Sequence, residues 1–146
     1  MPSATAPYRF GVGGVLAAGV ALLGILSAAA LPAYQGYVQR SQRAQAIALL
    51  QENAIFLEEF YHRHGSNKQT PTRWPALPAP LSPPDGVAQY QLAFGTLPRN
   101  TDDGYYVLRA TRLQVTDEAE VISLTQTGII KRCVRRDGVE QCELVH

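Results

Sequence analysis

Four basic residues near the C-terminal end are the side chains best suited to bind a charged ligand: Lys131, Arg132, Arg135 and Arg136. Clustered lysines and arginines are typical of surfaces that bind nucleic-acid phosphates. Acidic residues are interleaved with them, at Asp137, Glu140 and Glu143. A ladder of opposite charges across paired strands explains the same pattern without a ligand. DNA contact and a structural ladder therefore both remain open, and the net charge of +1 favours no polyanionic partner by itself.

The same segment contains the two cysteines of the chain, Cys133 and Cys142. Asp137 and Gly138 between them predict a two-residue hairpin turn, because both residue types tolerate a positive φ. Counting outward from this turn places the cysteines opposite each other at a non-hydrogen-bonded pair, where Cα atoms lie about 4.5 Å apart. We expect a disulfide there, with reduced thiols as the alternative. A metal site is disfavoured, since there is no third cysteine and no histidine between the two.

No arrangement of residues in the sequence is typical of an active site. His62 and His64 lie two positions apart near the end of a predicted helix, so they point to different faces. Glu58 and Glu59 are helical neighbours about 100° apart, which suits solvation better than paired acid and base catalysis. The sequence contains neither a glycine-rich phosphate loop nor a nucleophile elbow. We expect a protein without enzymatic activity, cofactor or bound metal.

A long uncharged segment precedes these elements. It runs from Phe10 to Leu31 and is bracketed by Arg9 and Arg40. An α-helix needs about 20 apolar residues to cross a bilayer, so the segment predicts a membrane-spanning helix. Pro32 should kink this helix, because it removes one backbone hydrogen bond. A cleavable secretory signal is the alternative, although its apolar region is usually only about 7–15 residues long.

The orientation in the membrane follows from the cysteines. Disulfides persist in oxidising compartments, so the domain after the membrane helix should face the periplasm or the outside of the cell. The positive-inside rule gives no support for this orientation, since Arg9 alone precedes the apolar run whereas Arg40 and Arg43 follow it.

An amphipathic helix is predicted from residue 39 to residue 64. Its apolar positions recur at spacings of three and four, the helical period, and include Ile47, Leu50, Ala54, Leu57 and Tyr61. Gly65 is the expected C′ residue after the last turn. We predict that this apolar stripe packs against a sheet.

The remaining residues predict a loop followed by a sheet. Residues 65–86 are rich in proline, which is excluded from helix interiors and central strands, so they predict a crossing loop. Residues 75–78 also fit a PxxP recognition ligand. From residue 87 to residue 146 the apolar period changes to two, in runs separated by short turns, which predicts an antiparallel meander. The predicted fold class is α+β, a long N-terminal helix packed on an antiparallel β-sheet.

The residues around Pro32 resemble the N-terminal helix of the type IV pilins. Gly24 to Val38 has the glycine, the kinking proline and the two tyrosines of that helix. Residues 40–46 and Phe60-Tyr61 are similar to the small minor pilins of the PilE type. The resemblance spans most of the chain and implies a leader-like segment 1–9, a transmembrane or fibre-core helix half 10–38, and a periplasmic globular domain 39–146.

The resemblance also implies a function and its partners. The expected protein is a minor pilin or pilin-like structural subunit that contributes to adhesion, twitching motility or DNA uptake. Its partners would be other pilin subunits through the N-terminal helix, the bacterial inner membrane before assembly, and the pilus assembly machinery. It would be a single-pass inner-membrane protein that then enters the pilus. The alternatives are a DNA-binding minor pilin for natural transformation, a type II secretion pseudopilin, and a permanently membrane-anchored pilin-like protein.

The prepilin peptidase site of the pilins is degenerate in this chain. Phe10 and Gly11 are similar to part of that site, but the position of the family's glutamate is occupied by Val15 or Leu16, depending on the register. In the family, this carboxylate is thought to pair with the N-terminal amine of a neighbouring subunit, where an unpaired charge would be costly. Without it, we expect a position at the fibre tip, poor entry into fibres, or permanent membrane anchoring.

Overall fold

The computed structural model describes residues 12–95, 104–114 and 118–146, and within the helix the side chains of residues 20, 21 and 24 onward. The described residues form one helix and six strands: α1 (Val12–His64), β1 (Leu81–Ser82), β2 (Tyr90–Phe94), β3 (Val107–Arg112), β4 (Glu118–Thr125), β5 (Ile130–Arg136) and β6 (Val139–Leu144). They divide into two compact units, Met1–Gln39 and Arg40–His146, and each unit is described by itself.

In the first unit, α1 is helical through Pro32. Several large apolar side chains are exposed there, namely Val20, Ile25, Leu26, Leu31, Tyr34 and Tyr37. In the part of the chain that the structure describes, no helix is sufficiently long and apolar to cross a membrane. The predicted span begins at Phe10 and includes residues beyond that part, and the proposed processing site, Phe10 and Gly11, lies outside it. The span, the processing site and the kink at Pro32 therefore stay predictions.

In the second unit, α1 ends where the sequence predicts. Gly65 has a φ of 71°, a conformation that glycine adopts without a steric penalty. Its amide donates a 2.7 Å hydrogen bond to the carbonyl of Tyr61. This bond satisfies one of the carbonyls that the last helical turn leaves without a partner, and so completes the C-terminal cap.

The sheet is an antiparallel meander, as predicted, and its strand order is β1-β2-β3-β4-β5-β6. The predicted loop over residues 65–86 is wrong in one respect, because it contains β1, in which Leu81 faces Gln91 and Ser82 faces Tyr90. Pro80 and Pro83 flank this strand. Proline is tolerated there because an edge strand pairs on one side only and needs few amide donors.

The core lies between one face of the sheet and one face of the helix. Strand alternation buries every second residue, so Tyr90 and Leu92, Leu108 and Ala110, and Ile122 and Leu124 all face the helix. The helix contributes Ala46, Leu50 and Leu57 to the same cluster. Each fully buried leucine or isoleucine side chain of this cluster contributes about 1.5–3 kcal/mol to the free energy of unfolding.

The predicted helix stripe is only partly correct. Leu50 and Leu57 are fully buried, whereas Ile47 and Ala54 are half-buried beside the core. Tyr61 is 43% exposed, so its assignment to the packing face is wrong. The buried face includes instead the small residue Ala46 and the polar residue Asn53, which a search for large apolar residues does not select.

Asn53 joins the helix to the proline-rich segment. Its amide nitrogen donates to the carbonyl of Ala79 at 2.8 Å, and its amide oxygen accepts from the Ala79 N–H at 3.0 Å. Both partners are buried, and an unpaired buried amide would cost about 1–3 kcal/mol. The ring of Trp74 stacks on Phe94 with centroids 4.4 Å apart, which anchors the same segment to β2. Because Pro75 is buried, a PxxP ligand at residues 75–78 is disfavoured.

Candidate functional site

Strand alternation separates the four basic residues of the predicted cluster. In β5, Lys131 is paired with Ser123 of the neighbouring strand β4, whereas Arg132 is paired with the buried Ile122 of that strand. Paired residues of adjacent strands lie on the same side of the sheet. Neighbouring residues of a strand point to opposite faces. Lys131 and Arg135 therefore lie on the outer face of the sheet, and Arg132 and Arg136 on the helix-facing side. The four residues of the predicted cluster thus do not share one face of the sheet, and DNA contact at these residues stays a prediction.

On the helix-facing side, Arg132 is part of a charge cluster around Glu120. One carboxylate oxygen of Glu120 accepts hydrogen bonds from Arg43 Nε at 2.8 Å, Arg132 Nε at 3.2 Å and the Tyr90 hydroxyl at 3.2 Å. The second oxygen lies 3.6 Å from Arg112 Nη1. Arg43 comes from α1 and the other members come from the four strands β2 to β5. The cluster thus ties the helix to the sheet.

Glu120 is only 5% exposed, so its charge depends on these partners. Burial alone would raise its pKa, but the hydrogen bonds and charges of Arg43 and Arg132 outweigh that effect, and the pKa lies below its ordinary value. Arg132 also donates to Glu143 at 2.8 Å. Burial opposes its charge, but Glu143 and Glu120 raise its pKa above the ordinary value. Arg132 is therefore already bonded to two carboxylates, as expected of a structural residue.

Arg136, at the end of β5, forms an ion pair with Glu118 on the same side of the sheet. Both side chains are more than one third exposed. Such a pair contributes little to stability, because water screens it.

The outer face carries three cations, one on β3 and two on β5. Arg109 on β3 is paired with Ser123 on β4, which is paired in turn with Lys131 on β5, so the three residues form a continuous row. Arg135 lies on the same face of β5, with one guanidinium nitrogen 3.7 Å from the carboxylate of Glu140. Side chains of this face surround a shallow cavity of about 500 Å³. Within the described strands, Glu140 is the acidic residue of this face, and Lys131 forms no ion pair with a described residue.

The disulfide lies on this outer face as well. Cys133 and Cys142 face each other in the β5–β6 register and are joined by a disulfide, with their Cα atoms 4.1 Å apart. Asp137 and Gly138 both have a positive φ in the turn, as predicted. The bridge fixes β6 to β5 beside Arg135. Glu140 lies near the two sulfur atoms, but sulfurs bonded to each other are not available as thiolate ligands for a metal.

Sequence reasoning missed two features of this site. Arg109 lies outside the predicted cluster of four basic residues, and it points to the face of β3 opposite that of Arg112. Glu120 was not selected at all. An acidic residue at a position of β4 where the alternation predicts an apolar side chain was the signal that could have identified it.

The fold and its topology define a class of protein: a long N-terminal helix packed on an antiparallel meander, with a disulfide-closed last hairpin, is a type IV pilin architecture. Within this class, the chain belongs to the family described as "Type IV minor pilin ComP, DNA uptake sequence receptor", which it matches over residues 32–124. The predicted minor-pilin identity is confirmed. Arg109 lies inside the matched range, whereas Lys131 and Arg135 lie beyond it.

Curated relatives support the same class. The chain is 41% identical over 56 residues to the "Type IV major pilin protein PilE1" of Neisseria gonorrhoeae, which covers 38% of this chain and 30% of that protein. It is 46% identical over 46 residues to the "Fimbrial protein" of Neisseria meningitidis serogroup B, which covers 32% of this chain and 27% of that protein. The chain thus spans less than a third of the length of these relatives.

Proposed function

We propose that this minor pilin binds DNA through the outer face of its sheet and serves DNA uptake. The supporting observation is the arrangement of Arg109, Lys131 and Arg135 on one face of β3 and β5, with Glu140 as the acidic residue beside them. The family description, which names a receptor for DNA uptake sequences, supports the choice of ligand.

The geometry suits contact with the phosphate backbone. Strands lie about 4.7–4.9 Å apart, so Arg109 and Lys131, two strands apart, have backbones about 10 Å from each other. Arg135 is four residues beyond Lys131, about 13 Å along β5. Three cations at this spacing can each contact a separate phosphate of a duplex, because the backbone charges are spaced more closely than the cations. Such contacts position the DNA, whereas sequence is read at base edges.

The remainder of the proposed function is structural. The exposed apolar side chains of the first unit, such as Ile25, Leu26 and Leu31, are suited to pack against other pilin subunits. The inner membrane before assembly and the pilus afterwards are the proposed locations, and the assembly machinery is the proposed partner. These roles require packing and no bond-making chemistry.

The test is the salt dependence of DNA binding. We expect the logarithm of the association constant to fall with the logarithm of salt concentration, with a slope of about −0.9 for each phosphate contact. Replacing both Arg109 and Lys131 by alanine should reduce the magnitude of that slope by about 1.8 and weaken binding at low salt. Fluorescence anisotropy of a labelled duplex with the purified full-length chain measures both quantities.

Arg136→Ala is the matched control, since it removes an equally exposed arginine from the opposite face of the same hairpin. Its slope should equal that of the unmodified chain. A slope loss of about 0.9 in Arg136→Ala, half of that in the double variant, would show that the number of charges removed, and not the outer face, determines binding. DNA binding that neither variant changes would place the interface elsewhere on the protein.

A further inference from the structure

A second cavity lies on the helix side of the sheet, where α1 ends. It has a volume of about 360 Å³, and its walls include Glu58, Tyr61, His62, Asn67, Tyr106 and Gln126. The cavity collects side chains from the last helical turns, the loop that follows, and the adjacent ends of β3 and β4. Ligand pockets typically measure about 300–1,000 Å³, so this one suits a small chemical group better than a whole metabolite.

Asn67 provides the first indication of a ligand. It is only 3% exposed and lines the cavity, yet its side-chain amide forms no hydrogen bond with any described residue. Its polar atoms are not among the enclosed polar atoms without a partner, so the amide is open to the cavity. It is therefore available to hydrogen-bond a group that enters the cavity.

Glu58 determines the charge that such a group should carry. Its carboxylate is exposed and has no ion pair with a described residue. Glu58 and Tyr106 both line the cavity. Burial and, after it, the negative charge of Glu58 raise the pKa of Tyr106. A phosphate or another anion would be repelled there, whereas a cation would be attracted.

The aromatic walls favour the same charge. Tyr61 and Tyr106 contribute rings to the cavity, and aromatic faces attract ammonium and guanidinium groups. Gln126 and Asn67 add amide oxygens that can accept hydrogen bonds from such a group. The nearby Lys68 does not line the cavity, because its ammonium lies 5.5 Å from the centre of the Trp74 ring. His62 is the basic residue among the described residues of the wall.

We propose that this cavity binds the guanidinium or ammonium group of an arginine or lysine side chain from another protein subunit. A carboxylate, two tyrosine rings and two amides form a site that matches a cationic side chain in charge and in hydrogen-bonding capacity. A pilin subunit works among other protein chains, and an open cavity at the surface of its globular unit is accessible to a protruding side chain.

Titration of the full-length chain with N-acetyl-arginine methylamide tests the proposal, with chemical shifts of the Asn67 and Gln126 backbone amides as the readout. We expect saturable shifts with a dissociation constant in the low millimolar range, as for other single charged groups. Glu58→Gln should weaken binding about tenfold, because it removes a charge-assisted hydrogen bond. Glu52→Gln, an exposed glutamate of the same helix outside the cavity, should leave binding unchanged.

The neutral analogue N-acetyl-citrulline methylamide has nearly the same shape. It should bind at least about fivefold more weakly, because it lacks the positive charge that the carboxylate and the aromatic rings attract. Equal binding of the two compounds, an unaffected Glu58→Gln variant, or no saturable shift would overturn the proposal. Tighter binding of putrescine than of the arginine derivative would overturn the assignment to a protein side chain, and would indicate a site for free amines.

Discussion

The two faces of strands β3 to β5 hold arginines in opposite surroundings. On the helix side, Arg112 and Arg132 share the carboxylate of Glu120, which is almost fully buried. On the outer face, Arg109 and Arg135 are exposed, and Arg135 has a single loose contact with Glu140. Arg132 and Arg135 are three positions apart in one strand. The same residue type is thus part of the internal structure on one face and available to a ligand on the other.

The difference shows how burial determines the role of a charge. A desolvated carboxylate needs its hydrogen-bonding partners. Removing either the carboxylate or a partner arginine leaves an uncompensated charge in a medium of low dielectric constant. An exposed ion pair gains little, because water solvates each partner equally well after separation. The inner arginines are therefore committed to the fold. The outer ones can exchange a weak intramolecular contact for a phosphate.

The largest expected effect is the loss of stability in Glu120→Gln. This change leaves Arg43, Arg112 and Arg132 close together without the carboxylate that neutralises them. Breaking a buried ion pair costs about 3–5 kcal/mol of the free energy of unfolding. Urea denaturation of the full-length chain, followed by the fluorescence of Trp74, the single tryptophan, measures the change.

Glu140→Gln on the outer face is the control for that experiment, and its cost should remain below about 1 kcal/mol. Equal costs for the two substitutions would show that the faces do not differ in the way their burial indicates.

A smaller effect on the free energy of unfolding is expected at acidic pH. The folded-state pKa of Glu120 lies below its ordinary value of 4.5, so the unfolded chain takes up this proton first. The contribution of Glu120 to stability is therefore complete above pH 4.5 and is lost as the pH falls through the lower folded-state pKa. The difference in unfolding free energy between the unmodified chain and Glu120→Gln should shrink below that pH.

Comparing these two chains at each pH cancels the contributions of the other carboxylates. A difference that stayed constant from neutral pH to pH 3, well below the usual carboxyl range, would contradict the assigned pKa direction.

The smallest expected effect is on DNA affinity. Glu140→Gln removes the acidic residue beside Arg135 on the outer face and frees that guanidinium. We expect binding to strengthen about two- to fivefold at low salt, and this gain to disappear at high salt because the contacts are screened. Glu143→Gln is the comparison, since Glu143 pairs with Arg132 on the helix side of the sheet. Weaker DNA binding in Glu140→Gln would contradict a phosphate contact at Arg135.

Local patterns in the sequence predicted much of the fold. The Asp137-Gly138 turn and the opposition of the cysteines depend on a hairpin of a few residues, in which the turn fixes the register. The end of α1 before Gly65 likewise follows from the conformational freedom of one glycine. These features need no knowledge of distant parts of the chain.

The candidate sites could not be predicted in the same way. Tyr61 was expected on the buried face but is exposed, and Asn53 is buried although the stripe did not include it, because the face of a helix that is buried depends on the shape of the sheet beneath it. The pairing of Arg43 with Glu120 joins residues far apart in the sequence, and no local pattern indicates it. The cavity beside Asn67 has the same origin, since its walls come from four separate segments.

The sequence by itself determined the α+β class, the order of the strands, the last hairpin and its disulfide, because turns, caps and apolar periods act over a few residues. Only the tertiary structure decided which basic residues are buried and which face solvent. That outcome depends on which side of the sheet the helix covers. Partial desolvation then makes Arg132 a structural residue, whereas Arg109, Lys131 and Arg135 stay exposed to solvent.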